Sequence, residues 1–399
     1  MHPGIHSRQH PDKPAYIMAD THEVVTYQQL EDASNQAAHL YRQHKLKPGN
    51  GIALLLPNHK AYLQAAWGAQ RSGLYFTPVS ILFQAQEIAY ILENSDAGLL
   101  VSHSRFADLL IRIQPNLPIY LVDVETDTEA APFLSWPAEL ARQPVTPVAD
   151  ECEGAEMIYS SGTTGQPKGV RFPLNDRALG DVSELFQTRA AMHEVGPDTV
   201  YLSTAPMYHS APLRYNLMVT RLGGTAIVMP RFDPEQALQL IEQYQVTHSQ
   251  WVPTMFVRLL KLSESTRIKY NTGSLRYAIH AAAPCPVEVK QQMINWWGPV
   301  LYEYYSGTEA NGQTAITTGE WLTHRGSVGK AIYGKLHILD EDENELPPGQ
   351  VGTVYFSDGA DFSYHKDPVK TAAAKTALGW STLGDMGYVD EDGYLYLKD

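Results

Sequence analysis

One twelve-residue segment, residues 159–170, combines the residue types that bind polyphosphates. It reads Tyr-Ser-Ser-Gly-Thr-Thr-Gly-Gln-Pro-Lys-Gly-Val and follows the apolar pair at residues 157–158. Glycines let the backbone approach a ligand closely, hydroxyls and free amides donate hydrogen bonds, and Lys168 adds a point charge. The pattern therefore predicts a strand, a phosphate-binding loop and a second strand. A surface turn is the structural alternative, because the same residue types are common in turns.

The order of the residues in this segment is specific. Gly169 follows Lys168, so the segment is not the common Gly-x-x-x-x-Gly-Lys-Ser/Thr nucleotide loop. It resembles the phosphate loop of the adenylate-forming superfamily, which includes acyl-CoA synthetases, coumarate-type CoA ligases, luciferases and peptide-synthetase adenylation domains. The resemblance implies catalytic roles for Thr164 and Lys168. It also implies that ATP is bound by Ser160, Ser161, Gly162, Thr163, Thr164 and Gly165.

A second segment, residues 304–309, reads Tyr-Tyr-Ser-Gly-Thr-Glu at the end of a predicted strand. Ligands bind at strand ends in open α/β sheets, and a carboxylate suits Mg²⁺, which prefers oxygen ligands. By resemblance, Tyr305 stacks on adenine, Thr308 contacts the α-phosphate, and Glu309 holds Mg²⁺ together with Thr164. The resemblance adds three more nucleotide-binding residues, Tyr304, Ser306 and Gly307. An aromatic core strand followed by a solvated glutamate is the alternative.

Three further segments match the same family in the expected order. Asp385 lies between glycines, where the family uses an aspartate to accept the ribose hydroxyls. His209 matches a residue beside the acyl channel, and Trp251, at the end of a predicted strand, is either a pocket wall or part of the core. Small residues after another strand let a flat ring lie against the backbone, and by resemblance this loop binds adenine, with its first residue also in the acyl pocket: Ala281, Ala282, Ala283 and Pro284.

Composition restricts the class of protein. The chain has 399 residues, is 44% hydrophobic and carries a formal net charge of −14, which makes it a poor candidate for binding nucleic acid. Its two cysteines do not form a disulfide scaffold, and no stretch resembles a signal peptide or a transmembrane segment. We therefore expect a soluble, cytoplasmic protein, and the sequence leaves a homo-oligomer open.

The order of elements predicts an α/β protein. Helical periodicity alternates with short apolar runs, which is typical of layered α/β sheets, and short strands separated by turns follow from about residue 326. We predict two stacked α/β subdomains, residues 1–180 and 181–325, and a smaller β-rich subdomain, residues 326–399. The acid-, proline- and alanine-rich residues 125–153 are predicted to form a surface connection. Predicted helices include 27–44, 85–94, 234–244 and 287–297, and predicted strands include 52–56, 75–79, 98–102, 246–252, 275–280 and 300–304.

The end of the chain carries a separate expectation. The family continues after a segment like residues 393–399 with a hinge arginine and a C-terminal domain that supplies a catalytic lysine. Both lie outside this sequence. We therefore expect a large N-terminal domain that is impaired in catalysis without its C-terminal catalytic domain.

The resemblance implies a reaction. A carboxylic acid would react with ATP and Mg²⁺ to form an acyl adenylate and pyrophosphate, and coenzyme A would then take the acyl group. The acid is expected to be fatty, steroid-type or aryl. Residues 246–252 and 275–283 end without an acidic side chain, which disfavours an amino acid. Transfer to an amine or to a carrier-protein thiol, and a nucleotide-binding scaffold without chemistry, are the alternatives.

Overall fold

The computed structural model describes residues 1–160, 166–174 and 177–398. The chain divides into two compact units, which are described in turn. Unit 1 comprises Met1–Ser183, Val195–Asp198 and Pro206–Arg231. Unit 2 comprises Glu184–Glu194, Thr199–Ala205 and Phe232–Asp399. The subdomain boundaries at residues 180 and 325 stay a prediction.

The α-helices of the described residues are short to medium in length. In chain order they are α1 (Pro3–Gln9), α2 (Tyr27–Gln43), α3 (Ala61–Gln70), α4 (Ala85–Asn94), α5 (Ala107–Ile113), α6 (Asp127–Ala130), α7 (Trp136–Ala141), α8 (Glu184–Met192), α9 (Ser210–Arg221), α10 (Pro234–Tyr244), α11 (Pro253–Leu260), α12 (Glu264–Lys269), α13 (Val287–Trp297), α14 (Thr318–Thr323) and α15 (Pro368–Ala373). The predicted bounds of α4, α10 and α13 are confirmed.

The strands of the described residues are two to nine residues long. In chain order they are β1 (Pro14–Met18), β2 (Val24–Thr26), β3 (Gly51–Leu55), β4 (Tyr75–Pro78), β5 (Ala97–Ser102), β6 (Ile119–Leu121), β7 (Leu134–Ser135), β8 (Ala155–Glu156), β9 (Ile158–Ser160), β10 (Lys168–Arg171), β11 (Val200–Ser203), β12 (Thr225–Val228), β13 (His248–Trp251), β14 (Tyr277–His280), β15 (Leu301–Tyr305), β16 (Gln313–Thr317), β17 (Lys330–Tyr333), β18 (Lys335–Leu339), β19 (Gly352–Ser357), β20 (Ser363–Tyr364), β21 (Ser381–Val389) and β22 (Leu395–Lys398).

Unit 1 is built on a parallel sheet with the order β7-β6-β5-β3-β4-β8. Every residue of the central strand β3 is buried, which explains its unbroken apolar run. Helix α2 begins with the predicted capping pair, in which Thr26 and Gln29 exchange side-chain and backbone hydrogen bonds. In the same unit β1 pairs with β2 antiparallel and with β12 parallel.

Unit 2 places four parallel strands side by side. The order is β11, β13, β14, β15, with Trp251 opposite His280 and His280 opposite Glu303. Strands β16 and β17 continue this sheet in antiparallel orientation. A separate antiparallel sheet has the order β18-β19-β21-β22. The predicted α/β class, with a β-rich sheet following the α/β part, is confirmed.

The prediction of a plain surface connection at residues 125–153 was wrong in its central part. This segment contains α6, β7 and α7, and β7 pairs with β6 as an edge strand. Trp136 is only 2% exposed, and the Ser135 hydroxyl accepts a hydrogen bond from the Ala138 amide at the start of α7. A serine cap followed by an early proline is a helix start that outweighed the loop-like composition.

None of the helices in the described part of the chain has the length and apolar content needed to cross a bilayer.

Candidate functional site

The two neighbouring strands β14 and β15 of unit 2 end at the same edge of the sheet, and predicted nucleotide-binding residues follow both. After β14, Ala281 is buried and residues 282–284 are exposed. After β15, residues 306–308 are half-buried, and the Ser306 hydroxyl donates to the Gly312 carbonyl at 2.8 Å. Parallel pairing thus brings the predicted adenine loop beside the predicted phosphate and metal segment.

Two alanines at this edge adopt a left-handed backbone conformation. Ala282 has φ +72° and Ala310 has φ +50°, and they are the only alanines with positive φ among the described residues. This conformation costs an alanine about 1–2 kcal/mol, because its Cβ crowds the following carbonyl. Strained residues persist where the surrounding structure determines them, and they are frequent at ligand sites.

Ala282 offers a direct test of this strain. Ala282→Gly is expected to raise the free energy of unfolding by up to about 1 kcal/mol, since glycine tolerates positive φ. Ala283→Gly is the matched control, because Ala283 itself has no positive φ and glycine there only adds freedom to the unfolded chain. Urea denaturation measures both. Destabilisation of similar size by both substitutions would contradict strain at Ala282.

The carboxylate of Glu309 is buried and fixed by a tyrosine. Glu309 is 7% exposed, and its Oε1 accepts a hydrogen bond from the Tyr364 hydroxyl at 2.9 Å. Burial, followed by the nearby Glu309 charge, raises the pKa of Tyr364, so this hydroxyl remains a donor. A Cβ at Gly307 would lie 2.8 Å from Glu309 Oε2, so the glycine makes room for the carboxylate.

This arrangement fits a predicted Mg²⁺ ligand. The Tyr364 hydroxyl occupies Glu309 Oε1, and no described residue donates a hydrogen bond to Glu309 Oε2. Mg²⁺ commonly takes one or two protein carboxylates together with substrate phosphates and water. Within the described ranges no three His, Cys, Asp or Glu side chains are grouped closely enough to hold a metal ion.

The predicted adenine and ribose residues of unit 2 are in direct contact. The Tyr305 hydroxyl donates to Asp385 Oδ2 at 2.7 Å. Burial, followed by the Asp385 carboxylate, raises the pKa of Tyr305 and keeps its hydroxyl protonated. Asp385 is exposed in β21, beside Gly384 with φ +90°, and the Tyr305 ring stacks against Phe356 at 6.4 Å. An exposed carboxylate next to an aromatic ring can accept ribose hydroxyls while the ring stacks on the base.

Unit 1 contains the strands on either side of the predicted phosphate loop. Strands β9 and β10 pair antiparallel with Lys168 opposite Ser160, which confirms the two predicted strands. A Cβ at Gly169 would lie 2.8 Å from the Tyr159 ring, so this glycine is needed for close packing. The central loop positions fall outside the described residues: Ser161, Gly162, Thr163, Thr164 and Gly165.

The two predicted acyl-pocket side chains differ in environment. His209 is exposed at the start of α9, with the Tyr208 ring 4.7 Å away. Trp251 is 1% exposed, and its Nε1 donates to Ser249 Oγ at 2.8 Å while its ring packs on Trp297 at 5.2 Å. This packing favours the core interpretation of Trp251, and the pocket role of His209 stays a prediction.

Sequence reasoning missed two features of the site. Tyr364 belongs to no short motif, and its contact with Glu309 spans 55 residues. Lys290 and Glu303 form a buried ion pair behind the predicted adenine loop. The only available signal for this pair was a glutamate within the otherwise uncharged strand Leu-Tyr-Glu-Tyr-Tyr.

Comparisons with known proteins agree with this geometry. The sequence model of the family described as "AMP-binding enzyme" matches residues 5–360. The fatty acid–[acyl-carrier-protein] ligase ScoC of Streptomyces coeruleorubidus is 28% identical over 99% of this chain and 75% of its own length. The 4-coumarate–CoA ligase 3 of Arabidopsis thaliana is 26% identical over 97% of this chain and 71% of its own length.

A solved structure is similar over the full length of this chain. The inhibitor-bound N-terminal domain of FACL13 from Mycobacterium tuberculosis has a TM-score of 0.86 at 25% identity, covering 100% of this chain and 98% of that chain. Because the family match spans most of the sequence, this chain belongs to the AMP-binding enzyme family, within the adenylate-forming superfamily.

Proposed function

We propose that this chain activates a carboxylic acid with ATP and that its acyl group then passes to the thiol of coenzyme A. It is an acid–thiol ligase of the AMP-forming type, as its family and its relatives indicate. The observation that carries the assignment of the site is the strand edge of unit 2, where Tyr305 contacts Asp385 and Glu309 is held by Tyr364.

The chemistry follows from charge and position. A carboxylate and ATP repel each other, so the site must offset negative charge and align the two reactants. Bound Mg²⁺ would supply positive charge next to the phosphates, with Glu309 as its protein ligand. Lys168 adds a cation to the phosphate loop, and Thr308 follows β15 at the α-phosphate position. Tyr305 and Asp385 hold the nucleoside, which keeps the α-phosphorus in place.

Two substitution steps complete the reaction. An oxygen of the acid attacks the α-phosphorus, the bond to pyrophosphate breaks, and pyrophosphate leaves with that electron pair. The thiol of coenzyme A then loses its proton and attacks the acyl carbon, and AMP leaves. The hydroxyls of the phosphate loop support these steps as hydrogen-bond donors and do not form covalent intermediates.

The acid is proposed to be a fatty, steroid-type or aryl acid. An amino acid substrate would need an acidic side chain to hold its amino group. Strand β13 ends in Trp251, and residues 281–284 after β14 are three alanines and a proline, so neither position supplies one. Relatives named for fatty acid and 4-coumarate substrates support this range. His209 and Ala281 are proposed to line the acyl pocket.

The acceptor has one alternative with specific support. The relative named as an acyl-carrier-protein ligase favours a carrier-protein thiol as a second candidate. Both acceptors are thiols, so the adenylation half-reaction is the same for either.

Acid-dependent exchange of labelled pyrophosphate into ATP tests this function, in a chain extended by the C-terminal domain that the resemblance to the family leads us to expect. We expect exchange with one class in a panel of fatty, steroid-type, aryl and amino acids, and none without acid. Adding coenzyme A, a carrier protein or an amine to the preformed adenylate then identifies the acceptor. ATP binding without exchange for any acid would contradict the ligase assignment and favour a nucleotide-binding scaffold.

A further inference from the structure

A buried ion pair ties together the two loops that carry the candidate nucleotide site. We propose that Lys290 and Glu303 are positioning residues. They would hold residues 281–284 and residues 304–309 in the relative position that ATP binding requires. This inference rests on the proposed function, since it assigns the pair to ATP binding at the same site. Neither residue is proposed to touch the nucleotide.

The pair is enclosed by protein on all sides. Lys290 is 0% and Glu303 5% exposed, and Lys290 Nζ donates to Glu303 Oε2 at 2.5 Å. The ammonium also lies 4.9 Å from the centre of the Trp321 ring, a favourable cation–π position. Burial lowers the pKa of Lys290 and raises that of Glu303, because both charged forms lose water.

The other titratable groups around the pair do little to stabilise its buried charges. His280 is fully buried, its Nε2 lies 3.8 Å from Glu303 Oε2, and neither ring nitrogen makes a hydrogen bond with a described residue. Burial lowers the pKa of His280 well below its usual value and raises the pKa of the Cys285 thiol to about 12, so both stay neutral. Among the described residues, the Lys290 ammonium is therefore the only cation that faces the Glu303 carboxylate.

Both residues of the pair lie next to the predicted nucleotide-binding segments in the chain. Glu303 directly precedes Tyr304 in β15, and Lys290 lies in the first turn of α13, the helix that follows the predicted adenine loop. His280, the last residue of β14, is the register partner of Glu303. The ion pair therefore links helix α13, which follows the loop after β14, to strand β15. The link lies directly before residues 304–309.

The energetic cost of the pair suggests a role beyond stability. Removing two charges from water costs several kcal/mol per ion, and apolar replacements of such pairs are often neutral or stabilising. Two alanines beside the pair have a strained left-handed conformation: Ala282 lies within residues 281–284, and Ala310 directly follows residues 304–309. A directional, hydrogen-bonded contact can hold such conformations, whereas an apolar contact has no preferred direction.

A double substitution separates positioning from stability. In Lys290→Met with Glu303→Leu, we expect a melting temperature equal to or above that of the wild type, together with at least a tenfold weaker Kd for ATP. In Lys290→Gln with Glu303→Gln, an amide hydrogen bond can replace the ion pair, and the Kd is expected to stay within about threefold of the wild type. Calorimetric titration of the 399-residue chain with ATP measures these values.

An exposed ion pair of the same unit is the matched control. Lys269 and Glu235 lie 3.4 Å apart on the surface, and replacing both with alanine is expected to leave the Kd unchanged. Wild-type ATP affinity in the Met/Leu variant would overturn the proposal. If that variant fails to fold, Glu303→Asp decides, since its shorter side chain weakens the contact: a weaker Kd supports positioning and an unchanged Kd contradicts it.

Two readouts keep this inference separate from the proposed function. Absence of pyrophosphate exchange in the wild-type sequence extended by the C-terminal domain, with ATP still bound, contradicts the ligase assignment but leaves the Kd comparison valid. Exchange in the wild type with an unchanged Kd in the Met/Leu variant contradicts the positioning role alone. Where the wild type shows exchange, we expect the Met/Leu variant to have a larger fold-increase in the KM for ATP than fold-decrease in kcat.

Discussion

Replacing Glu309 with glutamine is expected to reduce acid-dependent pyrophosphate exchange by about 100- to 1000-fold, the range seen when one essential electrostatic contact is removed from a transition state. The reason is that an amide keeps the shape of the side chain but loses the negative charge proposed to hold Mg²⁺. Because Glu309 is buried and its Oε1 accepts from Tyr364, the neutral isostere should leave the fold intact. Exchange measured across a Mg²⁺ titration checks the result.

Tyr364→Phe is the matched control for this substitution. It removes the 2.9 Å hydrogen bond to Glu309 but keeps the charge, so we expect a loss of about fivefold, equivalent to about 1 kcal/mol. More Mg²⁺ should recover part of the activity of Tyr364→Phe and little of that of Glu309→Gln. Wild-type exchange in Glu309→Gln, at any Mg²⁺ concentration, would exclude Glu309 as the metal ligand.

The parts of the site that were predictable are those encoded by short segments. Residues 304–309 combine an aromatic ring, a hydroxyl and a carboxylate at fixed spacing, and the predicted strand before them is present as β15. Both ends of helix α10 could be predicted, because Asp233 caps it, Pro234 begins it and its apolar residues recur at helical spacing. Local chemistry determines such features, so they can be derived without tertiary structure.

The remaining features depend on contacts between distant parts of the chain. Tyr364 reaches Glu309 across 55 residues, and Tyr305 reaches Asp385 across 80, which no local pattern encodes. The Lys290–Glu303 pair was not predicted, because charged side chains are usually exposed and a single sequence does not reveal their partners. Trp136 was assigned to a surface connection because composition was given more weight than the serine cap and proline that begin α7.

Replacing Asp385 with alanine is expected to weaken ATP binding by about 30- to 100-fold and to abolish discrimination between ATP and 2′-deoxy-ATP. The carboxylate is exposed beside Tyr305 and is proposed to accept the ribose hydroxyls, and each charge-assisted hydrogen bond contributes about 1.5 kcal/mol or more. The wild type should therefore prefer ATP over the deoxynucleotide by at least about tenfold in calorimetric titrations. The alanine variant, which lacks the acceptor, should bind the two nucleotides equally.

Tyr305→Phe separates the ribose contact from stacking on the base. This variant keeps the ring and loses only the hydroxyl that donates to Asp385 at 2.7 Å. We expect about fivefold weaker ATP binding, since one hydrogen bond that orients the carboxylate is lost, but an unchanged preference for ATP over 2′-deoxy-ATP. Because Asp385 is exposed, its substitution should not lower stability, so reduced affinity reports on the site itself. If Asp385→Ala still prefers ATP as strongly as the wild type, the ribose hydroxyls are bound by another residue.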